Sequence, residues 1–337
     1  MNIKNRVHSF CQLGEKINNL TTDEKQQLFF RTANENPWFT PDNIELSLLG
    51  ISKFLAREAL ETWLAGYQMK ETSPKKIGVA MAGNIPMVGF HDLLCVLLSG
   101  HHLAAKLSSN DTVLMQFIIQ ALVEIDSAFS NLISVEERLN SVDALIATGS
   151  DNTSRYFEYY FRNTPHIIRK NRTSCAVLIG EESVSELAEL GKDIFSYFGL
   201  GCRNVSKIFV PEKFDFVLMI ESWKDYQPVI RHHKYANNYD YQKSIFLINK
   251  IPFYDSGFLL ITENPNMVSP ISVLYYETYT DQNDLKAKVQ AQHDKIQCMV
   301  SAQGWFENSV AFGEAQLPDV SQYADGVDTM NFLQHLQ

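Results

Sequence analysis

The sequence lacks the motifs that mark several common enzyme classes. It contains no Gly-x-Gly-x-x-Gly turn, no phosphate-binding loop with its lysine, no Gly-x-Ser-x-Gly elbow and no His-Glu-x-x-His pair. These absences exclude the usual signatures of glycine-rich dinucleotide-binding domains, P-loop NTPases, α/β-type serine hydrolases and zinc peptidases. The adjacent histidines at 101–102 and 232–233 have no ligand-type spacing around them, so we expect no metal site.

Cysteine is sparse, and long apolar runs are missing. The five cysteines are widely spaced and form no Cys-x-x-Cys pair, which favours reduced thiols in a cytoplasmic protein over a disulfide framework. No apolar run approaches the roughly 18 residues needed to span a bilayer. The first residues are too polar for the apolar core of a signal peptide. We therefore expect a cytoplasmic protein without a membrane span.

Positive charge is in deficit as well. The 29 Lys and Arg side chains stand against 39 Asp and Glu, for a net charge of −10. This balance argues against binding to nucleic acid or to anionic membranes, although it leaves room for a local basic pocket for a phosphorylated cofactor. The length of 337 residues predicts about two domains, and the hydrophobic content of 45% is that of an ordinary globular protein.

The N-terminal half predicts helices followed by alternating strands and helices. Residues 1–70 read as helical, with a capping box beginning at Thr21 and an N-cap at Thr40 followed by proline. After Pro74 we predict strands at 77–81, 103–107, 143–147, 166–169 and 176–179, with helices at 92–98, 112–125 and 155–161. Strands that alternate with helices indicate an α/β fold built on a mostly parallel sheet.

Beyond Cys202 the pattern predicts a second block. The expected elements are strands at 207–210, 216–219, 244–247, 257–261 and 272–276, and a helix at 284–292. We therefore expect a helical region at 1–70, a cofactor-binding α/β domain at 71–198 and a catalytic α/β domain at 199–305. The remaining residues, 306–337, are expected to form a tail that docks on the body or on a partner subunit.

Cys202 is the first candidate for chemistry. It stands in the sequence Gly199-Leu200-Gly201-Cys202-Arg203, between a predicted helix and a predicted strand. A thiol between small residues and beside a cation has the surroundings of a thiolate nucleophile, which attacks carbonyl carbon and forms a covalent intermediate. The alternative is a buried, inert thiol, because most free cysteines in proteins are of that kind.

Polar residues follow three of the predicted strands, where ligands of parallel sheets bind. The amide of Asn84 is suited to stabilising an oxyanion, or Gly-Asn-x-Pro is simply a turn. Lys106, Ser108 and Ser109 suit a ribose or phosphate, or are a solvated lysine and a serine cap. Thr148-Gly149-Ser150 allows a pyrophosphate close to the backbone, or is an ordinary capped turn.

One further pattern is set aside. Tyr239 and Lys243 have the Tyr-x-x-x-Lys spacing of short-chain dehydrogenases, but those enzymes also need the glycine-rich turn that this chain lacks. We interpret both residues as surface or packing residues.

In their order and spacing, five segments resemble the acyl-CoA reductase family, which includes the fatty-acid reductase of bacterial luminescence and is similar to the aldehyde dehydrogenase superfamily. The resemblance runs from about residue 75 to the C-terminus. Its segments are Gly83-Asn84-Ile85-Pro86-Met87-Val88-Gly89, Ala105-Lys106-Leu107-Ser108-Ser109, Thr148-Gly149-Ser150, Gly201-Cys202-Arg203-Asn204-Val205 and Tyr323-Ala324-Asp325-Gly326-Val327-Asp328-Thr329.

The resemblance implies a role for each position. Cys202 would be the acylated nucleophile, and Asn84 would form the oxyanion hole with the backbone N–H of Cys202. Lys106 would meet the adenosine ribose, and Gly149-Ser150 would lie beside the pyrophosphate. The remaining residues assigned to the cofactor site are Pro86, Ser108, Ser109 and Thr148.

Departures from the superfamily pattern narrow the expected reaction. The stretch His166–Ala176, where aldehyde dehydrogenases carry a general-base glutamate, contains no acid. Hydrolysis of a thioester would then be poorly catalysed, which favours thioester reduction over aldehyde oxidation. Ser108 and Ser109 stand where relatives that prefer NAD often carry a ribose-binding glutamate, so we expect NADPH. Of the Glu-x-Phe-Gly-Pro motif, Val268-Ser269-Pro270 keeps only the proline.

The sequence thus predicts an aldehyde-dehydrogenase-like α/β enzyme that reduces an acyl thioester to an aldehyde. The expected partners are acyl-CoA or another acyl thioester, an acyl-donor protein and further copies of the chain in a homo-oligomer. Two alternatives stay open: an acyl-transfer protein without efficient reduction, and a scaffold subunit with the same fold.

Overall fold

The structure is a computed structural model that describes residues 1–68, 73–149 and 151–336. The chain divides into two compact units. Unit 1 comprises Met1–Asn171 together with Asp319–Gln337, and unit 2 comprises Arg172–Pro318. Each unit has its own β-sheet.

Unit 1 begins with four helices, as predicted. They are α1 (Ile3–Asn18), α2 (Thr22–Glu35), α3 (Pro41–Phe54) and α4 (Arg57–Ala65). The capping box is confirmed, because the N–H of Thr21 donates to Glu24 and the N–H of Glu24 donates to Thr21. Thr40 caps α3, and Pro41 occupies its first turn, where the missing N–H costs nothing.

The sheet of unit 1 is parallel throughout. Its strands are β1 (Lys76–Ala80), β2 (His102–Lys106), β3 (Ile133–Val135), β4 (Ala144–Thr148) and β5 (His166–Arg169), in the order β3-β2-β1-β4-β5. The connecting helices are α5 (Phe90–Leu98), α6 (Thr112–Ile125) and α7 (Asp151–Tyr160). The predicted parallel α/β sheet is confirmed. The chain reverses its direction of winding between β1 and β4, which makes their carboxyl ends a topological switch point.

Unit 2 contains a larger sheet. Its strands are β6 (Thr173–Val177), β7 (Val205–Pro211), β8 (Tyr254–Asp255), β9 (Leu260–Glu263), β10 (Val273–Tyr279), β11 (Ile296–Ser301) and β12 (Ser309–Ala311). The order is β12-β11-β6-β7-β10-β9-β8, and β8 alone among these strands runs antiparallel to its neighbour. The helices are α8 (Val184–Phe195), α9 (Phe216–Ser222), α10 (His233–Ile248) and α11 (Gln282–Ala291).

Two strand predictions in this unit are wrong. Residues 216–219 lie in α9, and residues 244–247 lie near the end of α10. Both stretches are short apolar runs, and four apolar residues fit one face of a helix as well as a buried strand. Asp215 favours the helix at 216–222, because it is the N-cap of α9 and its carboxylate accepts the N–H groups of Val217 and Leu218.

The unit boundaries differ from the expected domain boundaries. The chain enters unit 2 after Asn171, ahead of residue 198, because β6 pairs with β7 and β11 and so belongs to the second sheet. The expected tail at 306–337 is divided as well. Residues 306–318 stay in unit 2, and residues 319–337 return to unit 1.

The returning segment is anchored by buried polar contacts to helices of unit 1. Its last helix, α12 (Thr329–Gln334), packs near α5. Trp63 donates to the Tyr323 hydroxyl at 2.9 Å, the Tyr67 and Tyr323 hydroxyls lie 2.6 Å apart, and Tyr67 donates to Asp328 at 2.9 Å. The Tyr323–Thr329 motif singled out in the sequence therefore serves to attach the C-terminal segment.

Candidate active site

The residues predicted to hold a cofactor lie at one edge of the unit 1 sheet. Ala80, the last residue of β1, is in register with Lys106 on one side and with Ala147 on the other. Because the three strands are parallel, the loops that carry Asn84, Ser108–Ser109 and Thr148–Gly149 leave from the same edge. Ser150 lies outside the described residues.

Gly83 lets the Asn84 loop pack against the loop after β2. A Cβ on Gly83 would lie 2.4 Å from the Ser108 hydroxyl oxygen, so a larger residue would push the two loops apart. Pro86 is buried, and its carbonyl accepts the Ser47 hydroxyl at 2.7 Å. Asn84 is exposed between these two anchored points. A rigid loop with an exposed amide is suited to presenting a hydrogen-bond donor.

Asp111 ties the same two loops together from inside. Its side chain is fully buried, and Oδ2 accepts the backbone N–H of Met87 at 2.7 Å, where Met87 has a left-handed φ of 55°. Its Oδ1 has no hydrogen-bond partner among the described residues. Burial raises the pKa of Asp111 to about 8, against the opposing effect of the Met87 N–H. This acid is therefore directed at the Met87 backbone.

The polar groups left exposed at this edge fit a phosphorylated cofactor. The Lys106 and Ser109 side chains are exposed, and that of Ser108 is half-buried. An ammonium group with two hydroxyls offers donors for phosphate oxygens and contributes no negative charge. Gly149 is less suited to binding a pyrophosphate, because its backbone N–H already donates to the carbonyl of Arg169 at 3.3 Å. A Cβ there would also lie 2.8 Å from the Thr153 methyl group.

Cys202 lies in unit 2, on a tight turn between α8 and β7. Three consecutive residues ahead of it have left-handed backbone angles: Tyr197, Phe198 and Gly199. The Cys202 side chain is partly exposed, and its carbonyl accepts the Ser174 hydroxyl of β6 at 3.0 Å. Cys202 is thus not deeply buried. The neighbouring Arg203 donates to the Ala315 carbonyl at 3.2 Å, so the protein backbone holds part of its guanidinium group.

Asn204 joins the Cys202 turn to the end of α8. Its side chain is 1% exposed, and its Oδ1 accepts the Gly201 N–H at 2.8 Å. Its Nδ2 donates to the carbonyls of Asp193 at 3.0 Å and Ser196 at 2.8 Å. Sequence analysis placed Asn204 in a family motif without assigning it a task. A polar residue two positions after a candidate nucleophile, inside a turn, is the signal that points to such a role.

Tyr239 and Lys243, the pair with Tyr-x-x-x-Lys spacing, lie in a cluster around the carboxylate of Asp255. Tyr239 donates to Asp255 at 2.6 Å, and the Lys243 ammonium lies 2.8 Å from the same carboxylate. Burial first, and then this hydrogen bond, raise the pKa of Tyr239 to about 12. A tyrosine with a raised pKa does not act as the activated phenol of a dehydrogenase. Its packing supports the interpretation of both residues as structural.

No group of three or more His, Cys, Asp or Glu residues in the described part of the chain could hold a metal ion. No helix there is long and apolar enough to cross a membrane.

Comparison with known proteins gives a result at the level of the fold. No protein-family model matches the chain, and no curated protein is similar enough in sequence to match. Among solved structures, similarity extends to a Bacillus cereus aldehyde dehydrogenase in complex with NAD+ (TM-score 0.64, 12% identity, 91% of this chain and 72% of that one). A Mycobacterium tuberculosis aldehyde dehydrogenase complexed with NAD+ has a TM-score of 0.64 and 12% identity over 89% of this chain and 73% of that one. An NAD-dependent benzaldehyde dehydrogenase from Corynebacterium glutamicum has a TM-score of 0.66 and 9% identity, over 89% and 76%.

The chain has an aldehyde-dehydrogenase-like fold. This confirms the predicted fold class, with a parallel-sheet unit and a second α/β unit. At identities of 9–12% the likeness to the aldehyde dehydrogenases is one of architecture, and it carries no substrate or residue role with it.

Proposed function

We propose that this protein reduces an acyl thioester to an aldehyde with NADPH, through an S-acyl intermediate on Cys202. In the overall reaction an acyl-CoA, NADPH and a proton give an aldehyde, free CoA and NADP+. The observation that carries the proposal is the Cys202 turn in an aldehyde-dehydrogenase-like fold. Cys202 is partly exposed, Ser174 donates to its carbonyl, and Asn204 accepts the N–H of the preceding Gly201.

In the first half-reaction Cys202 acts as the nucleophile. Its thiolate attacks the acyl carbonyl, the new S–C bond forms, and the bond to the CoA sulfur breaks when the CoA thiolate leaves and takes up a proton. The backbone N–H of Cys202 is the proposed donor to the oxyanion that develops on the carbonyl oxygen, and Asn84 is the side-chain donor that the family resemblance implies. Donors of this kind are worth roughly 3–4 kcal/mol of barrier where they are well placed.

Lys106, Ser108, Ser109, Thr148, Gly149 and Pro86 are the residues proposed to hold the cofactor. NADPH supplies the hydride that converts the acyl carbon to the aldehyde oxidation level. The chain returns Cys202 to its starting state when the S–C bond breaks and the sulfur regains its proton. Ser108, Ser109 and Lys106 favour a 2′-phosphate over a bare ribose, because Asp111 is buried and directed at Met87.

A second feature that supports the proposal is the sequence of residues 166–176. Residues 166–176, which run through β5 and β6, contain no carboxylate to activate water. A thioester on Cys202 would therefore persist until it is reduced or returned to a thiol. This supports reduction over hydrolysis.

Intact-protein mass spectrometry tests the proposal. The protein is incubated briefly with a long-chain acyl-CoA, beside Cys202→Ala, and NADPH is then added. A single acyl adduct on the wild type, absent from Cys202→Ala and discharged as aldehyde by NADPH, is the expected result. Cys298→Ala is the matched control, because it removes another partly exposed thiol of unit 2 and should leave the adduct unchanged.

The other outcomes separate the alternatives. An adduct that NADPH leaves in place would contradict reduction and favour an acyl-transfer protein. An adduct on Cys202→Ala, or none on the wild type with CoA and carrier-protein donors alike, would remove the case for Cys202 as the nucleophile. Discharge by NADH at equal rate would contradict the preference for NADPH.

A further inference from the structure

A buried carboxylate in unit 2 lies behind the Cys202 turn and has no role in the chemistry above. Asp193, near the end of α8, is 0% exposed. Its Oδ2 accepts the N–H of Gly313 at 2.7 Å, and its Oδ1 accepts the N–H of Ala315 at 3.0 Å. Both oxygens thus hold one short stretch of chain, residues 312–316, which we call the closing segment.

The closing segment in turn holds the residue beside the candidate nucleophile. Arg203 donates to the Ala315 carbonyl at 3.2 Å, and Gln316 donates to the Arg203 carbonyl at 3.1 Å. Asn204 completes a ring of hydrogen bonds, because its amide donates to the Asp193 carbonyl at 3.0 Å. Cys202 lies between Gly201 and Arg203 in this ring and is partly exposed.

We infer that Asp193 is a positioning residue for Cys202, acting through the closing segment and Arg203. This inference rests on the proposed function for its consequence in catalysis, but the positioning itself does not depend on it. Without the carboxylate, Gly313 and Ala315 lose their acceptors, and the carbonyl that orients Arg203 is no longer fixed. A small displacement of a nucleophile from its productive position costs a large factor in rate.

The surroundings of Asp193 make its hold on the closing segment depend on pH. The groups that face it are Glu189 on its own helix, Glu314 on the closing segment, Tyr226 and Cys298. Burial raises the pKa of Asp193 to about 7, and the two N–H donors offset that effect in part. The closed form therefore binds a proton that a hydrated carboxylate, with a pKa near 4, would release. The free energy needed to open the closing segment therefore falls as pH rises from about 4 to 7, and it stays constant above pH 7.

Two measurements on Asp193→Asn test the inference. The first is the rate at which iodoacetamide alkylates Cys202, followed at one pH by mass spectrometry of the peptide. The second is the single-turnover rate of acylation over a range of acyl-CoA concentrations. We expect the acylation rate at saturation to fall roughly tenfold or more with the half-saturation concentration unchanged. We expect the alkylation rate to change as well, because the thiol moves.

Asp215→Asn is the matched control. Asp215 also accepts two backbone N–H groups in unit 2, but it caps α9 and takes no part in the ring. It should change neither rate. Gln316→Ala removes another hydrogen bond of the same ring, at a half-exposed position. It should change the acylation and alkylation rates in the same direction as Asp193→Asn but by less. It keeps the test decisive if Asp193→Asn does not fold.

Hydrogen exchange in the wild type adds a test without any substitution. After correction for intrinsic exchange, protection of Gly313 and Ala315 should decrease from about pH 5 to 7, and the Asp193→Asn profile should be flat. A flat or opposite profile in the wild type would overturn the pH dependence, and unchanged Cys202 rates in both variants would overturn the positioning role of Asp193. If the wild type accepts no acyl group at all, the proposed function fails, while alkylation and exchange still decide the role of Asp193.

Discussion

At the scale of single residues, the candidate nucleophile depends on a neighbour that does no chemistry itself. Asn204 satisfies the Gly201 N–H and the last carbonyls of α8 with one side chain. Asn204→Ala would leave these buried groups without partners, each at a cost of about 1–3 kcal/mol. We expect the free energy of unfolding to fall by roughly 2–4 kcal/mol, measured by urea denaturation.

The control for Asn204 is Asn238→Ala. Asn238 donates to the Lys234 carbonyl at 2.8 Å within α10, where water can replace the lost amide. It should cost less than about 1 kcal/mol. Equal losses in the two variants would contradict a special role for Asn204.

Asp111 gives a second prediction at this scale, because its pKa is raised to about 8 in the folded protein and is near 4 when unfolded. The folded state then binds more protons between these values, so its stability falls as pH rises from about 4 to 8, by up to about 1.4 kcal/mol per pH unit. Asp111→Asn removes this loss. The stability of the variant relative to the wild type should therefore grow with pH up to about 8 and then stay level.

Urea denaturation at several pH values measures that difference. Asp126→Asn, which removes a half-buried carboxylate that accepts the Ala128 N–H in the same unit, is the comparison variant. A constant difference for Asp111→Asn across the range would mean that Asp111 is ionised throughout, against the effect of its burial.

What the sequence reveals at this scale is local. Cys202 and Asn84 are predicted from short motifs, because a thiol beside a cation or an amide in a turn can be read from neighbouring residues. The contacts of Asp193 and Asp111 could not be predicted in this way, because each accepts backbone N–H groups far along the chain, at Gly313 and Ala315 or at Met87. No periodicity or spacing encodes such contacts.

At the scale of elements, the C-terminal helix is attached by a buried ion pair. Arg169, at the end of β5, contacts both oxygens of Asp92 in α5, at 2.9 and 2.7 Å. Its other terminal nitrogen donates to Thr329, the first residue of α12, at 2.7 Å. One guanidinium group thus joins a strand, a helix and the C-terminal segment.

Arg169→Met should release α12 and destabilise unit 1. The substitution leaves Asp92 buried without its cation, which costs about 3–5 kcal/mol. Hydrogen exchange should show reduced protection in 329–334, and the free energy of unfolding should fall by that amount. Replacing both partners, in Asp92→Leu with Arg169→Met, should recover part of the loss, because no unpaired charge remains.

Lys16→Met is the comparison for an ordinary pair. Lys16 and Glu124 are 36% and 50% exposed, and a pair so open to water contributes at most about 1 kcal/mol. If Arg169→Met cost no more than this, or left exchange in α12 unchanged, the attachment would have to come from the apolar contacts of α12 alone.

The elements themselves were predictable where a long pattern or a cap marked them. The capping box at Thr21 and the long apolar stretch 112–125 predicted helices that the structure confirms, and α6 has those bounds. Short apolar runs failed, as in α9, and β11 and β12 were missed. In the unit 2 sheet, β11 pairs with β6 on one side and with β12 on the other. Their strand character comes from pairing with a distant segment.

At the scale of the whole molecule, the boundaries of the units follow the sheets. The seven strands of unit 2 all come from residues 173–311, and the units meet along the chain at 171–172 and 318–319. From the sequence, the second domain is expected to begin at 199, where the candidate nucleophile segment opens a second block of strands. The glycines before Cys202 instead belong to a turn that Asn204 and Ser174 hold within unit 2.

Two fragments decide between these boundaries. A chain of residues 172–318 retains β6, the strand between β11 and β7, and retains α8 with its buried Asp193. A chain of residues 199–318 loses both, so β7 and β11 are left without the strand that joins them. We expect the longer fragment to unfold cooperatively in urea, with the fully buried Trp223 as its fluorescent reporter. The shorter fragment should show no such transition. A cooperative transition in 199–318 would mean that the core of unit 2 does not depend on β6 and α8, against the pairing of β6 with β7 and β11. The absence of a transition in 172–318 would mean that these residues do not form a unit that folds on its own.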